Sequence, residues 1–188
     1  MLALHRALLP DEEMHGLRTS QNWIGGSAWH PLDAEFIPPP PALVPELMND
    51  LVRYIDSGLH APLIQAALTP AQFETIHPFA DGNGRVGWAL IHTVLTRRGL
   101  TPTVVLPISV VLLTRQDGYA EGLTAYRQDG PSSSTAATTA LSAWVELFLD
   151  ATATAVDQAS RFAADLAALR AEWNSRCQFP RHARRWRN

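Results

Sequence analysis

The spacing of apolar residues predicts three consecutive helices in the middle of the chain. The first carries an apolar stripe over residues 47–55 and can end at Gly58, since glycine readily adopts the left-handed conformation that closes helices. The second covers residues 62–76, where Pro70 should kink or split the helix because proline has no N–H to donate. The third covers about residues 84–99, with apolar side chains repeating every four positions.

The second half of the chain is also predicted to be mainly helical. Residues 107–116 and 118–128 have the pattern of two shorter helices, although the run VVLPISVVLL is by composition equally typical of a strand. Residues 130–135 predict a loop, and residues 136–173 one long alanine-rich helix. The basic tail RHARRWRN follows; a solvated tail is favoured over a nucleic-acid contact, because arginines without a folded scaffold bind nucleic acid only nonspecifically.

The first third of the chain departs from this helical pattern. Residues 1–14 predict a short arm that contains a helix over residues 2–9. Residues 21–37 are rich in tryptophan, glycine and turn-forming residues and predict a small β-hairpin. Four prolines at 38–41 end the hairpin and favour a stiff connector in the polyproline II conformation. The predicted fold class is mainly α with one small hairpin.

Composition narrows the classes of protein that remain. The chain has 188 residues and a formal net charge of −3, which argues against a protein that coats nucleic acid. Its 15 basic residues are all arginine, so chemistry that depends on a lysine is excluded. Cys177 is the single cysteine, which excludes an intrachain disulfide and a cysteine-based zinc site. No apolar run is long enough for a membrane span, so a cytoplasmic protein is expected.

Residues 77–85, HPFADGNGR, concentrate the groups that carry chemistry. Gly82 and Gly84 permit a backbone that lines up N–H groups at the start of a helix, which is a favourable place for a phosphate. Arg85 adds a charged fork suited to phosphate oxygens, and Asp81 can hold magnesium beside them. His77 is close enough to act as a general base. The spacing therefore points to phosphoryl or nucleotidyl transfer.

A structural interpretation of the same residues remains open at this point. The tetrapeptide DGNG is also a common hairpin turn, and the histidine of HPF could be a core residue with satisfied hydrogen bonds. The residues after Arg85 have a helical rather than an alternating period, which favours the anion site over the turn.

The string HPFADGNGR closely resembles the signature of the Fic family of protein nucleotidyl-transferring enzymes, H-x-F-x-[D/E]-G-N-G-R-x-x-R. The segments HGLRTSQNWIGG, FIPPPP, VPELMNDL, QFETIHPF, RQDG and AWVELFL resemble the family core in the same order. The resemblance covers roughly residues 15–150 and implies a Fic domain there, with a flap at about 24–37 and the motif at 77–88. Residues 1–14 would be an N-terminal arm, and residues 151–188 a helical extension with the basic tail.

The resemblance implies a compact helical bundle that moves AMP from ATP to a Ser, Thr or Tyr hydroxyl of a target protein. His77 would be the catalytic base and Asp81 the ligand of Mg²⁺. Phosphates would be held by Gly82, Asn83, Gly84, Arg85 and the residue at position 88. The flap would dock the target as an added strand through Ile24, Gly25, Gly26, Phe36 and Ile37.

The chain departs from the family signature at Trp88, where the family has a second arginine that holds the γ-phosphate. Either ATP is used weakly, or the donor is another nucleotide that contains a diphosphate. The alternative function is a catalytically impaired Fic-fold protein that binds nucleotide or protein as a regulatory module. The inhibitory pattern [S/T]-x-x-x-E-[G/N] of many members is missing, because Glu121-Gly122 is preceded by Asp117. A separate inhibitory chain and a homodimer are left open as partners.

Overall fold

The structure, a computed structural model, describes residues 1–127 and 130–176. Its helices are α1 Leu2–Leu8, α2 Val44–Ser57, α3 Pro62–Ile76, α4 Asn83–Arg97, α5 Ile108–Thr114, α6 Gln116–Tyr126 and α7 Thr135–Arg176. Short 3₁₀ turns lie at Glu12–Met14, Pro31–Asp33 and Pro41–Leu43. The predicted mainly α fold class is confirmed, while the basic tail and Cys177 lie outside the described residues.

Helix α3 lies at the centre of the bundle and packs against α2, α4, α6 and α7. It has buried residues on every side, including Ala66, Ala67, Phe73 and Ile76, and small side chains let the neighbouring helices approach closely. The helix runs through Pro70 without a break, so the predicted split is wrong. Burial of the surrounding residues against four helices outweighs the local cost of proline, which is about 3 kcal/mol.

The strand alternative for VVLPISVVLL is also wrong. Residues 104–107 are irregular, and α5 begins directly after Pro107. The apolar side chains of Ile108, Val111 and Leu112 then fall on one helical face and are buried in the core. Composition alone could not distinguish this spacing of about one helical turn from strand alternation in so short a run.

Helix α7 is joined to the bundle by Trp144. Its side chain is buried, and its indole N–H donates to the Ala67 carbonyl oxygen of α3 at 2.9 Å. The rings of Tyr119 and Tyr126 from α6 pack beside it. A Cβ atom at Gly122 would lie 3.1 Å from the indole, so glycine permits the close approach of α6 and α7.

The predicted hairpin is not formed as two strands. The part of the chain that the structure describes contains no β-strand, and the segment is closed by a single antiparallel bridge between Ile24 and Phe36. Gly25 and Gly26, which follow the bridge residue Ile24 directly, turn the chain with φ of 75° and 69°. The 3₁₀ turn at Pro31–Asp33 bends the returning segment, and the prolines from position 38 have no N–H with which to extend a ladder. The flap is therefore an irregular loop.

The N-terminal arm packs on the core instead of extending from it. Helix α1 contacts α4, and His5 is completely buried with its ring stacked on Phe79 at a centroid distance of 3.8 Å. Leu9, directly after α1, is also buried. Within the described residues, no helix combines the length and the apolar character that crossing a bilayer requires.

Candidate active site

The chain turns sharply between α3 and α4, at the first residue of the motif. His77 closes α3 in a left-handed conformation with φ of 49° and ψ of 60°. It is the only non-glycine residue with positive φ among those described. This conformation costs a residue with a Cβ about 1–2 kcal/mol, and such strain persists only where the surroundings impose it.

Arg18 imposes this conformation from beneath. Its Nε donates to the His77 carbonyl oxygen at 2.8 Å, and Nη2 lies 3.4 Å from the Ile76 carbonyl oxygen and also donates to that of Pro39. The backbone N–H of Arg18 donates to the carbonyl of Pro78 at 2.9 Å. Burial lowers the pKa of the guanidinium, which lies at the negative end of the α3 dipole. Arg18 therefore connects the motif turn to the proline segment that follows the flap.

We expect Arg18→Met to destabilise the fold by about 2 kcal/mol, because the carbonyls of Ile76, His77 and Pro39, which are buried or partly buried, would lose a donor, and a buried carbonyl left unpaired costs roughly 1–3 kcal/mol. Arg18→Lys should recover only part of this loss, since one ammonium group cannot reproduce the planar fork. Urea denaturation measures the change. Arg53→Met is a matched control, because Arg53 forms only an exposed pair with Asp50. Equal midpoints for Arg18→Met and the control would contradict the role of Arg18.

Phe79 and Asn83 fasten the motif loop to the core. The Asn83 side chain is buried, accepts from the Phe79 N–H and donates to the Phe79 carbonyl, both at 2.9 Å. Both ends of this amide are hydrogen-bonded to the Phe79 backbone, so the side chain holds the loop and the backbone N–H of Asn83 is the group at the helix start. From the other side, His5 Nε2 lies 3.0 Å from the Asp81 carbonyl oxygen. Phe79 thus anchors the motif loop in the core, held by hydrogen bonds with Asn83 and by the stacked ring of His5.

The start of α4 presents unpaired backbone N–H groups. Gly82 precedes the helix with φ of 81°, and its carbonyl accepts the first helical bond, from Val86. The N–H groups of residues 83–85 consequently have no acceptor within the helix. A Cβ at Gly82 would lie 2.3 Å from Leu9, whereas one at Gly84 would have only an ordinary contact. The fold requires glycine at position 82, whereas no contact within the described residues requires it at position 84.

Asp81 and Arg85 lie at the rim of this helix start. Asp81 Oδ1 accepts from the Gly82 N–H at 2.6 Å, and Oδ2 pairs with Arg85 Nη2 at 2.8 Å. Both side chains are about half exposed, at 57% and 48%. Magnesium is commonly held by one or two carboxylates together with substrate phosphates, and one accessible carboxylate beside an anion site fits that pattern. No cluster of three or more His, Cys, Asp or Glu that could hold a metal occurs among the described residues.

The motif residues surround one cavity of about 360 Å³. Its lining consists of His77, Ala80, Asp81, Gly82, Asn83, Gly84, Arg85 and Trp88. The flap residues Phe36 and Ile37 line a different cavity of about 720 Å³, where the Arg127 guanidinium lies over the Phe36 ring at 4.1 Å. Ile24 contributes the backbone bridge that closes the flap loop. The structure thus brings the predicted catalytic and phosphate-binding residues together and places flap residues beside a neighbouring cavity.

Trp88 lines the cavity with its ring while its N–H faces inward. The side chain is half-buried, and Nε1 approaches the buried hydroxyl of Tyr119. Neither atom makes a hydrogen bond of normal geometry within the described parts of the chain. Burial raises the pKa of the Tyr119 hydroxyl, which therefore stays protonated. Trp88 offers a ligand in the cavity an aromatic surface but no donor.

Comparison with known proteins places the chain among relatives with a shared activity in their names. The family model described as Fic/DOC family matches residues 1–95. The probable protein adenylyltransferase aq_aa38 of Aquifex aeolicus is 40% identical over 68 residues, which are 36% of this chain and 21% of the relative. Protein adenylyltransferase fic-1 of Caenorhabditis elegans is 32% identical over 126 residues, which are 64% of this chain and 22% of the relative.

A solved structure, that of a Fic family protein from Desulfovibrio desulfuricans G20, is similar over 86% of this chain and 46% of its own, with a TM-score of 0.66 and 30% identity. The chain spans about a fifth of the length of the protein adenylyltransferases it matches. The matched segment contains the motif turn, the helix start and the flap. The chain belongs to the Fic/DOC family.

Proposed function

We propose that the chain transfers AMP from ATP to a Ser, Thr or Tyr hydroxyl of a target protein. The observation that carries the proposal is the single cavity at which His77, the start of α4 and the Asp81–Arg85 pair meet. The names of the relatives, protein adenylyltransferases, support the same reaction.

In this reaction His77 removes the proton from the target hydroxyl as its oxygen attacks the α-phosphorus of ATP. The bond from that phosphorus to the bridging oxygen breaks, and pyrophosphate leaves with the electron pair. Charge on the phosphate oxygens is stabilised by the N–H groups at residues 83–85 and by the positive end of the α4 dipole. Arg85 exchanges its pair with Asp81 for the phosphates, which is feasible because both side chains are accessible.

Asp81 would hold Mg²⁺ against the phosphate oxygens, where the ion would neutralise part of their charge. Its Oδ2 atom faces solvent and Arg85, while Oδ1 is kept in place by the Gly82 N–H. One oxygen therefore fixes the carboxylate, and the other can serve as a ligand.

Target binding is assigned to the flap loop, through Ile24, Gly25, Gly26, Phe36 and Ile37 as docking residues. The loop exposes large apolar side chains, with Trp29 91%, Leu32 86% and Ile37 55% accessible. Since only one bridge ties the two limbs together, further backbone groups of the loop can pair with an extended target segment.

The second candidate function is that of a regulatory module without effective catalysis, and Trp88 is the observation that favours it. Because the indole N–H of Trp88 faces Tyr119, this residue brings no charged group to the cavity that would hold a γ-phosphate. Glu121 and Gly122 lie within α6 behind Asp117 and do not form the inhibitory pattern, so a separate inhibitory chain is kept as a candidate partner.

Intact-mass spectrometry tests the proposed reaction. The purified chain is incubated with Mg²⁺ and ATP, or with ADP and diphosphate-linked nucleotides, alone and with protein substrates from a lysate. Additions of one AMP unit are expected on the chain or on a target. Nucleotide binding without any covalent addition from the whole panel would instead support the regulatory module.

The end of α7 supports a homodimer as a further part of the proposal. Large apolar side chains recur there at spacings of four and three and are 44–70% exposed: Phe162, Leu166, Leu169 and Trp173. This is the spacing of a coiled-coil seam, and it places Asp165 and Arg170 at positions that pair between parallel helices. We expect light scattering to show a dimer that Leu169→Glu disrupts. A wild-type monomer at all concentrations tested would contradict it.

A further inference from the structure

We propose that Glu74 is a positioning residue for His77: its carboxylate accepts a hydrogen bond from Nδ1–H and so keeps Nε2 free to remove the target's proton. The proposal deepens the AMP transfer proposed above and rests on it. Glu74 lies outside the family signature and three positions before His77, on the last turn of α3.

The contact joins two buried groups with few other partners. Glu74 is 7% exposed, and its Oε2 lies 3.4 Å from His77 Nδ1. That separation is longer than a normal hydrogen bond, and Nδ1 has no hydrogen-bond partner anywhere in the described residues. Hydrogen bonds between catalytic groups are often long before substrate binds and shorten in the complex. Glu74 Oε2 is the acceptor in place for that bond.

Helix α4 leaves space for the Glu74 carboxylate because it has glycine at the positions nearest to it. A Cβ at Gly87 would lie 2.9 Å from Glu74 Oε1, closer than real Cβ contacts. A Cβ at Gly84 would lie 3.8 Å from the same oxygen. Gly87 is an ordinary helical residue without positive φ, so the backbone of α4 does not require glycine there. Its missing side chain serves the carboxylate.

Two further side chains lie near the Glu74 carboxylate: Tyr119 of α6 and Arg127, which directly follows α6. The Arg127 Nη2 donates to the Glu74 carbonyl at 3.1 Å, and its guanidinium interacts electrostatically with the carboxylate. The buried Tyr119 hydroxyl is a neighbouring donor, and the charge of Glu74 adds to burial in raising the Tyr119 pKa. Glu74 Oε1, Tyr119 Oη and Arg127 Nε are all buried without a partner within the described chain. The Glu74 carboxylate thus has the Arg127 guanidinium and the Tyr119 hydroxyl in its neighbourhood, and its Oε2 faces His77.

The arrangement supplies the third group that a histidine base requires. Which ring nitrogen of a histidine carries the proton is set by the hydrogen bond of the other nitrogen. A carboxylate at Nδ1 selects the Nδ1–H tautomer, leaves the lone pair on Nε2 and stabilises the imidazolium once the proton has been taken. The left-handed backbone at His77 fixes the direction in which its side chain leaves the chain, and Glu74 fixes the rotation and the tautomer of the ring.

Long-range ¹H–¹⁵N NMR of the histidine rings tests the contact without any need for activity. The His77 signals are assigned by their loss in His77→Ala. Wild type should show the Nδ1–H tautomer, whereas Glu74→Met should shift the ring toward Nε2–H because the acceptor is gone. Gly87→Ala should cause the same shift with the carboxylate still present, and alanine is also the better helix former. Glu146→Met, on an exposed face of α7, is the matched control and should leave the tautomer unchanged.

Steady-state kinetics then test whether the contact serves the reaction. We expect Glu74→Met to lower kcat by about 10²-fold or more with the KM for nucleotide nearly unchanged. An unchanged tautomer in both variants, or a changed tautomer with full kcat, would overturn the proposal. A wild type that transfers nothing from any donor would contradict the proposed function itself, and the tautomer shift would still decide whether Glu74 orients His77.

Discussion

Replacing His77 with alanine should lower the rate of AMP transfer about 10²–10⁴-fold, while the affinity for nucleotide stays nearly unchanged. In the proposed mechanism the imidazole acts only when the target hydroxyl loses its proton, whereas the start of α4 and Arg85, which line the same cavity, would hold the nucleotide. Single-turnover rates with labelled nucleotide measure the first quantity, and calorimetry in Mg²⁺ measures the second.

His92→Ala is the matched control for this substitution. His92 lies on α4 outside the cavity lining, and burial lowers its pKa, so it is neutral at pH 7. The control should keep the wild-type rate. Full activity of His77→Ala would remove the general base from the mechanism, and a large loss of nucleotide affinity would assign His77 to binding instead.

Wild type should bind ADP and diphosphate-linked nucleotides at least as tightly as ATP, and Trp88→Arg should shift the preference toward ATP. One turn of helix separates Arg85 from Trp88, and both line the same cavity. The indole N–H faces Tyr119, so it does not reach a terminal phosphate. A charged hydrogen bond from arginine contributes about 1.5–3 kcal/mol, or roughly 10- to 150-fold in affinity.

Calorimetry of both variants with ATP and ADP decides this second prediction. Trp88→Phe serves as the control, since it keeps an aromatic surface in the cavity and should leave the ratio of the two affinities unchanged. A strong preference of wild type for ATP that Trp88→Arg does not alter would show that another residue holds the γ-phosphate.

The helices were predictable because their signal is local. The apolar spacing is set within each helix. The glycines that mark helix ends, Gly58 after α2 and Gly82 before α4, lie next to the helix they delimit. The split at Pro70 failed for the opposite reason, since packing of the whole bundle overrode the local cost of proline. The hairpin failed for a local reason, because Gly25, Gly26 and the 3₁₀ turn at Pro31–Asp33 leave the two limbs with a single bridge.

The motif residues were predictable as a set, but the residues that support them were not. Arg18 reaches His77 across 59 positions and His5 reaches Asp81 across 76 positions, separations that carry no sequence pattern. Glu74 could have been found, because residues three apart on a helix share a face and an acid before a candidate base is chemically informative. The same proximity did not reveal that Gly87 makes room for it.

The most direct test of AMP transfer is to determine which phosphate of ATP becomes attached to the target protein. The purified chain is incubated with Mg²⁺, protein substrates and ATP that carries its label in either the α- or the γ-phosphate, beside a His77→Ala sample. We predict that the α-label enters protein, that the γ-label is released as pyrophosphate, and that His77→Ala suppresses the incorporation. Incorporation of the γ-label, or α-label that enters equally with His77→Ala, would contradict AMP transfer by this site.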